Sequence, residues 1–169
     1  MLNEQQIKKL IDENNLIENY INLEKQLTPN GFDLTVAKIF EFASGGALDF
    51  SNNERVLPKI KEILSQKNKP EDKYGWWQLK KGVYKIRTNE IVSLPNNLIA
   101  LAFSRTSLLR MGAFTQHGVW DAGFKGKSEF ILAIENIQGI KIKQNARIAQ
   151  LVFFKIDETK SYKGVYQEK

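Results

Sequence analysis

The stretch VYKIRTNEIVSLPNNLIALAFS, residues 83–104, shows the pattern that decides the fold. Its apolar residues come in short or alternating runs, and asparagine and proline separate the runs as they do between strands. The pattern returns in FILAIEN (130–136), GIKI (139–142) and RIAQLVFFKI (147–156). Strands with turn residues about every 8–12 positions predict a β-sandwich or a closed barrel. Because helices that could form βαβ crossovers are missing here, we predict a mainly β fold.

The composition of the 169-residue chain is that of one ordinary globular domain. It has no cysteine and a single histidine, His117, which excludes disulfides, thiolate chemistry and Cys- or His-rich metal sites. No apolar run approaches the roughly 20 residues that span a bilayer, and the first residues do not resemble a signal peptide. We therefore expect a cytoplasmic protein without a membrane partner. The net charge of +6 favours anionic ligands in general.

Residues 1–27 are expected to form a helical N-terminal segment, which the run DENN (12–15) divides in two. Its apolar side chains recur at helical spacing: Ile7, Leu10, Ile11, Ile17, Tyr20 and Ile21. A turn at 28–31 then leads into a strand in which apolar and polar residues alternate, as in a half-buried strand. Residues 44–55 are predicted as a loop with a short extended piece. For residues 57–75, a short helix starting near Pro58 and a charged hairpin excursion both remain open.

Two arginines and two hydroxyls lie within six residues, at Arg105, Thr106, Ser107 and Arg110. Guanidinium groups bind phosphate through two parallel hydrogen bonds, and hydroxyls donate to phosphate oxygens. Backbone N–H groups at a strand end can complete such an anion site. The alternative is a loop whose Ser and Thr satisfy their own backbone beside two surface arginines.

A lone carboxylate, Asp121, precedes the run Ala-Gly-Phe-Lys-Gly. Two glycines around an aromatic residue predict a tight hairpin whose backbone can approach a flat ligand. A carboxylate at this point can act as a general base toward water if it lies within hydrogen-bond reach. The alternative is a turn aspartate that caps its own backbone.

Four stretches in order resemble the motifs of the trimeric dUTPase and dCTP deaminase superfamily, and most closely its archaeal-type dUTPases. They are GFDLT (31–35), SRTSLLR (104–110), GVWDAGFKG (118–126) and RIAQL (147–151). The resemblance spans residues 27–155, within a single domain of residues 1–169. It implies a distorted β-barrel or jelly-roll subunit of the β-clip type, assembled as a homotrimer with active sites between subunits. For the dUTPase branch it implies Mg²⁺-dependent hydrolysis of dUTP to dUMP and pyrophosphate.

The resemblance also implies roles for individual residues. Asp121 would orient and deprotonate the attacking water. The backbone from Gly118 onward would read the uracil edge, and Phe124 would pack against deoxyribose. Asp33 would support the hydration shell of the magnesium ion or brace the site structurally. The triphosphate would be held by Arg105, Thr106, Ser107, Arg110 and Gln150.

The C-terminal tail, residues 157–169, lacks the glycine-rich arm of the superfamily. Its YKGVYQ ending (162–167) would have to close the site differently, which makes Tyr166 and Gln167 the candidate cover residues. These aromatics could instead be exposed tail residues.

The sister activity, dCTP deamination, needs a glutamate ten residues after the motif aspartate as a proton shuttle. Counting ten residues from Asp121 reaches Ile131, which cannot carry a proton. Glu129 lies two positions earlier and is displaced by about 7 Å along a strand. The pattern therefore favours dUTP hydrolysis, and the alternative is a dCTP deaminase or a bifunctional dCTP deaminase and dUTPase.

Two further alternatives remain from other classes. One is a non-catalytic nucleotide-binding or interaction module on the same scaffold. The other is a basic β-barrel that binds nucleic acid, which would require aromatics interleaved with Lys or Arg on one sheet face. The pair Trp76-Trp77 near Lys80-Lys81 is its one hint, so we expect no nucleic-acid partner.

Overall fold

The computed structural model describes residues 1–167, and strands dominate them, which confirms the mainly β class. The helices are α1 (Glu4–Asn14), α2 (Leu23–Gln26) and α3 (Thr106–Arg110). The strands are β1 (Ile17–Glu18), β2 (Leu27–Thr28), β3 (Gly31–Phe42), β4 (Ile60–Ile63), β5 (Trp76–Leu79), β6 (Gly82–Ser93), β7 (Leu98–Ser104), β8 (Ala113–Gln116), β9 (Lys125–Ile134), β10 (Ile140–Lys143) and β11 (Arg147–Lys155). No helix within the described range is long and apolar enough to cross a membrane.

The main sheet is antiparallel and runs in the order β7-β11-β3-β6-β9-β8. Its two end strands, β7 and β8, approach each other: the Thr115 N–H of β8 donates to Ser104 Oγ of β7 at 2.7 Å. Ala100 of β7 also forms an antiparallel bridge with Trp120, just beyond β8. The sheet therefore nearly closes into the distorted barrel that the sequence predicts.

Strand β3 lies at the centre of this sheet, between β11 and β6. Its apolar residues Phe32, Leu34 and Val36 are buried, as predicted. The alternating polar residues Asp33 and Thr35 are buried as well, at 2% exposure each, so the prediction of a half-buried strand was wrong. The reason is that polar side chains of neighbouring elements cover the second face of β3. Asp33 and Thr35 can be buried there because Arg105 and Glu90 pair with them.

The N-terminal segment is less helical than the sequence predicts. Helix α1 begins with a capping box between Asn3 and Gln6 and ends at Asn15, which adopts the left-handed conformation. Ile17 then enters β1, which pairs with β6 instead of continuing a helix. The division at residues 12–15 is confirmed, and the apolar spacing beyond it belongs to strand and turn.

The structure decides the open question about residues 57–75 in favour of a hairpin excursion. Strand β4 pairs with β3, and the chain returns through an antiparallel bridge between Gln66 and Trp76. Strand β5 then pairs with β10 as a small separate sheet. Pro58 starts no helix, because the residues after it hydrogen-bond to the outer half of β3.

Candidate functional site

A pocket of about 580 Å³ lies beside the segment 118–124. Strands β6 and β9 form its floor, and the excursion after β3 and the C-terminal tail form its walls. Four of the residues that the sequence singles out line it, namely Gly118, Asp121, Phe124 and Tyr166. The walls are mainly apolar and aromatic and the floor carries charge, a combination typical of a site for a flat, partly polar ligand.

Asp121 is exposed at the first position of a β-turn, in which the Phe124 N–H donates to its carbonyl at 3.1 Å. Gly123 has a φ of 77°, and a Cβ there would lie 2.6 Å from Cβ of Ser161, so glycine is required. The predicted tight hairpin does not form around this turn, because residues 117–124 join the paired strands β8 and β9 as a longer loop. Trp120 before it pairs with Ala100 instead, because β8 has already ended at Gln116.

The C-terminal tail lies against this turn in the same chain. The Tyr162 N–H donates to the carbonyl of Ala122 at 2.8 Å, and its ring meets Phe124 edge-to-face at 5.9 Å. Gln167 accepts from the Lys125 N–H at 3.1 Å and donates to the Gly123 carbonyl at 3.0 Å. The described part of the tail therefore forms a wall of the pocket, and its last two residues, 168 and 169, lie outside the described residues.

The far wall comes from the excursion, through Leu57, Pro58 and Ile60. Arg55 lies over the Tyr166 ring, with Cζ 5.9 Å from the ring centre. This cation–π contact joins the excursion to the tail. The long insertion after β3, which the sequence leaves unexplained, thus has a place in the site.

A second group of polar residues surrounds Asp33, whose side chain is 2% exposed. Its Oδ2 lies 2.9 Å from Arg105 Nε and 3.2 Å from Arg147 Nη1. Burial raises the pKa of Asp33, while the charges of Arg105 and Arg147 act in the opposite direction. A buried carboxylate that receives two guanidiniums fixes the orientation of both.

The N-terminal segment completes this second group. Gln26 Nε2 donates both to the Asp33 carbonyl at 2.9 Å and to the fully buried Glu90 at 2.7 Å. Burial raises the pKa of Glu90, against hydrogen bonds from Thr35 and Gln26. Gln150 Nε2 donates to Thr28 Oγ1 at 2.5 Å. The strands and the N-terminal segment therefore hold Asp33 and its arginines in one arrangement.

Helix α3 places the remaining predicted residues beside Arg105. The chain turns into the helix directly after Arg105, and buried Leu108 anchors it. Thr106, Ser107 and Arg110 are exposed on this helix. We call Asp33, Arg105, Arg147, Gln150 and helix α3 the arginine cradle.

The pocket and the arginine cradle are separate within one chain. None of Arg105, Thr106, Ser107, Arg110 and Gln150 is among the described residues that line the pocket. The predicted site residues thus form two groups, one suited to a base and sugar and one suited to a polyphosphate.

Sequence reasoning missed the charged part of the pocket floor, where Lys85 and Arg87 of β6 meet Glu129 of β9. It also missed Tyr162 as the partner of Phe124. The alternation of Lys85 and Arg87 along a strand indicates that both side chains lie on one face of the sheet. That Glu129 is their partner depends on the β6–β9 register, which the sequence does not give.

No group of three or more His, Cys, Asp or Glu in the described part of the chain is arranged to hold a metal ion. Asp33 and its arginines form an ion-pair cluster, which does not fit a direct metal site. A divalent cation would have to arrive with its own oxygen ligands, such as those of a polyphosphate.

The model of a family described as dCTP deaminase-like matches residues 1–156. The chain belongs to this family. Relatives in the family include a probable deoxyuridine 5'-triphosphate nucleotidohydrolase of Methanosarcina mazei, 42% identical over 99% of this chain and 96% of the relative. The corresponding probable enzyme of Archaeoglobus fulgidus is 40% identical over 99% and 95%, and the deoxyuridine 5'-triphosphate nucleotidohydrolase of Methanocaldococcus jannaschii is 38% identical over 85% and 88%.

The family fold is also seen in a solved structure. The 2'-deoxycytidine 5'-triphosphate deaminase of Agrobacterium tumefaciens superposes with a TM-score of 0.68 at 20% identity, over 92% of this chain. The chain spans 47% of the length of that protein. The likeness supports the barrel architecture and extends to the fold alone.

Proposed function

We propose that this chain is a dUTP diphosphatase that hydrolyses dUTP to dUMP and pyrophosphate. The observation that carries the proposal is the pocket, which is lined by Asp121 and Phe124 of segment 118–124 and by Ile131 of β9. Deamination would need a carboxylic acid where Ile131 lies. The names of the family relatives at about 40% identity support the same activity.

In the proposed reaction, Asp121 accepts a proton from water as the water adds to phosphorus. The bond between the α- and β-phosphoryl groups breaks, and pyrophosphate leaves. Fixed guanidiniums of the arginine cradle would stabilise the charge that develops on the phosphoryl oxygens. Phe124 would pack against deoxyribose, and the backbone from Gly118 would read the base.

Mg²⁺ would enter with dUTP, held by phosphate oxygens and water. Of the two roles considered for Asp33, we propose the structural one, since Arg105 and Arg147 both bind its carboxylate.

The pocket and the cradle lie apart in one chain, so we propose that a homotrimer brings the cradle of one subunit to the pocket of another. Thr106, Ser107 and Arg110 are exposed on α3, as this arrangement requires.

Glu129 is a poor candidate for a deaminase proton shuttle. Burial would raise its pKa, but hydrogen bonds and charges of Lys85 and Arg87 hold the pKa below its usual range. Its carboxylate oxygens already accept from Arg87 and Lys85, which ties the group to the floor of the pocket instead of leaving it to take a proton from water.

The test uses purified protein with Mg²⁺ and either dUTP or dCTP, followed by chromatography of the products. We expect dUMP and pyrophosphate from dUTP and no change in dCTP. Asp121→Asn should lower kcat at least about 100-fold, because it removes the general base, while dUTP binding persists. Asp12→Asn, an exposed substitution in α1, serves as the matched control and should keep full activity.

Each other outcome points elsewhere. Formation of a uracil nucleotide from dCTP would make the chain a deaminase with another proton carrier. Near-normal kcat in Asp121→Asn would remove Asp121 from catalysis. No turnover of either nucleotide would favour a binding module on the same scaffold.

A further inference from the structure

Three charged side chains form one cluster on the pocket floor. Arg87 lies opposite Glu129 in the β6–β9 register, and Lys85 lies opposite Ile131. Arg87 Nε and Nη2 both lie 2.7 Å from Glu129 Oε1, and Lys85 Nζ lies 2.5 Å from Oε2. We call Lys85, Arg87 and Glu129 the floor cluster.

The floor cluster leaves hydrogen-bond donors toward the pocket. Glu129 already accepts three of the roughly four hydrogen bonds that a carboxylate can accept, whereas about three N–H groups of Arg87 and two of Lys85 remain unused within the cluster. The side chains are 42% and 25% exposed, so a ligand can reach them. Arg87 also lies over the Phe40 ring at 5.6 Å, which fixes its plane.

The two candidate bases differ at ring position 4, where a carbonyl in uracil accepts a hydrogen bond and an amino group in cytosine donates one. A surface with several unused donors and at most one unused acceptor site favours the carbonyl over the amino group. The exposed cross-strand ion pairs alone have little effect on stability, but they lie beside Ile131 in the lining of the pocket.

We propose that Lys85 and Arg87, oriented by Glu129, select a pyrimidine that carries a carbonyl at position 4 over one that carries an amino group. This inference rests on the proposed function and adds a second reading element to the backbone of segment 118–124. Lys85 and Arg87 touch the base, and Glu129 is a positioning residue.

The test compares dUTP with the triphosphate of 2'-deoxyribosyl-pyrimidin-2-one, which lacks a substituent at position 4. Wild-type protein should prefer dUTP in kcat/KM by about tenfold to a hundredfold, the range of a hydrogen bond to a charged donor. Lys85→Met should reduce the preference at least about threefold. A triple variant, Lys85→Met, Arg87→Met and Glu129→Gln, should lower the preference below that of Lys85→Met without leaving a charge unpaired.

Lys81→Met is the matched control, because Lys81 forms a similar ion pair with Glu135 at 2.7 Å outside the pocket lining. It should keep the wild-type preference. The inference is overturned if the triple variant retains the wild-type ratio while it still hydrolyses dUTP.

Calorimetric binding of dUMP and the matching pyrimidinone monophosphate separates this inference from the proposed function. Absence of dUTP hydrolysis by the wild type would defeat the proposed function. The binding preference and its loss in the triple variant would still support the floor cluster, and equal binding of both ligands by the wild type would contradict it.

Discussion

At the scale of single residues, buried polar groups explain how the site is positioned. Asp33 receives two arginines, and its backbone carbonyl accepts from Gln26, which also bonds Glu90. Removing one member of such a network leaves a buried group unpaired, which costs more than the bond itself contributes. The packing of the N-terminal segment therefore supports the position of Asp33, which binds Arg105 and Arg147.

His117 offers a prediction about pH. Burial lowers its pKa from 6.5 to about 4, against a hydrogen bond with the backbone of Ala102. Its Nε2 has no partner among the described residues, and its ring packs against Phe130 at 4.4 Å. The unfolded chain therefore binds a proton at a higher pH than the folded chain does.

The stabilisation from neutral His117 is complete above pH 6.5 and declines as pH falls toward about 4, by up to about 3 kcal/mol. Denaturant unfolding of wild type and His117→Gln at several pH values measures this decline. Asp33 and Glu90, whose pKa values are raised, contribute stability at low pH in both proteins. The quantity to follow is therefore the difference in the free energy of unfolding between wild type and His117→Gln. A difference that does not change between pH 7 and 4.5 would contradict the prediction.

At the scale of elements, local sequence patterns predicted most of the strands. The features that they did not predict depend on pairing between segments that are distant in the chain. The runs that became β6, β7, β9 and β11 carry apolar residues in alternating or continuous patterns, so their type is readable without partners. The pairing of Trp120 with Ala100 was not predicted, because this bridge depends on how closely β7 and β8 approach each other. Likewise, Asp33 and Arg147 are 114 residues apart in the chain, and no local pattern places their side chains together.

The C-terminal tail is the element with the clearest expected effect on activity. A chain that ends at residue 160 lacks Tyr162, Tyr166 and Gln167. Phe124 then loses its ring partner Tyr162, and Lys125 and Gly123 lose their hydrogen bonds with Gln167. We expect kcat/KM for dUTP to fall by about tenfold or more, since an edge-to-face pair alone stabilises by about 0.5–1.5 kcal/mol.

A chain that ends at Gln167 is the matched control and should retain activity. Steady-state kinetics of both truncations with dUTP decide the point. Equal kcat/KM in the two would show that the tail does not form a working wall.

At the scale of the whole molecule, the main feature is that the pocket and the arginine cradle lie apart in one chain. The residues expected to bind the base and sugar line the pocket, whereas those expected to hold the triphosphate lie in the cradle, outside the pocket lining. A symmetric oligomer repeats the same contact at every interface, so each pocket can receive the cradle of a neighbour. The motifs in the sequence indicated this chemistry, but their division between two places could be read only from the fold.

Mixing two inactive variants tests the central claim, a dUTP-hydrolysing site shared between subunits. Asp121→Asn removes the general base, and Arg110→Ala removes an exposed cradle residue outside the Asp33 ion pairs. Co-refolded in equal amounts, they should recover about a quarter of wild-type dUTP hydrolysis, because one interface in four combines an intact Asp121 with an intact Arg110. Each variant refolded alone should remain inactive. A mixture no more active than its components would contradict a shared site.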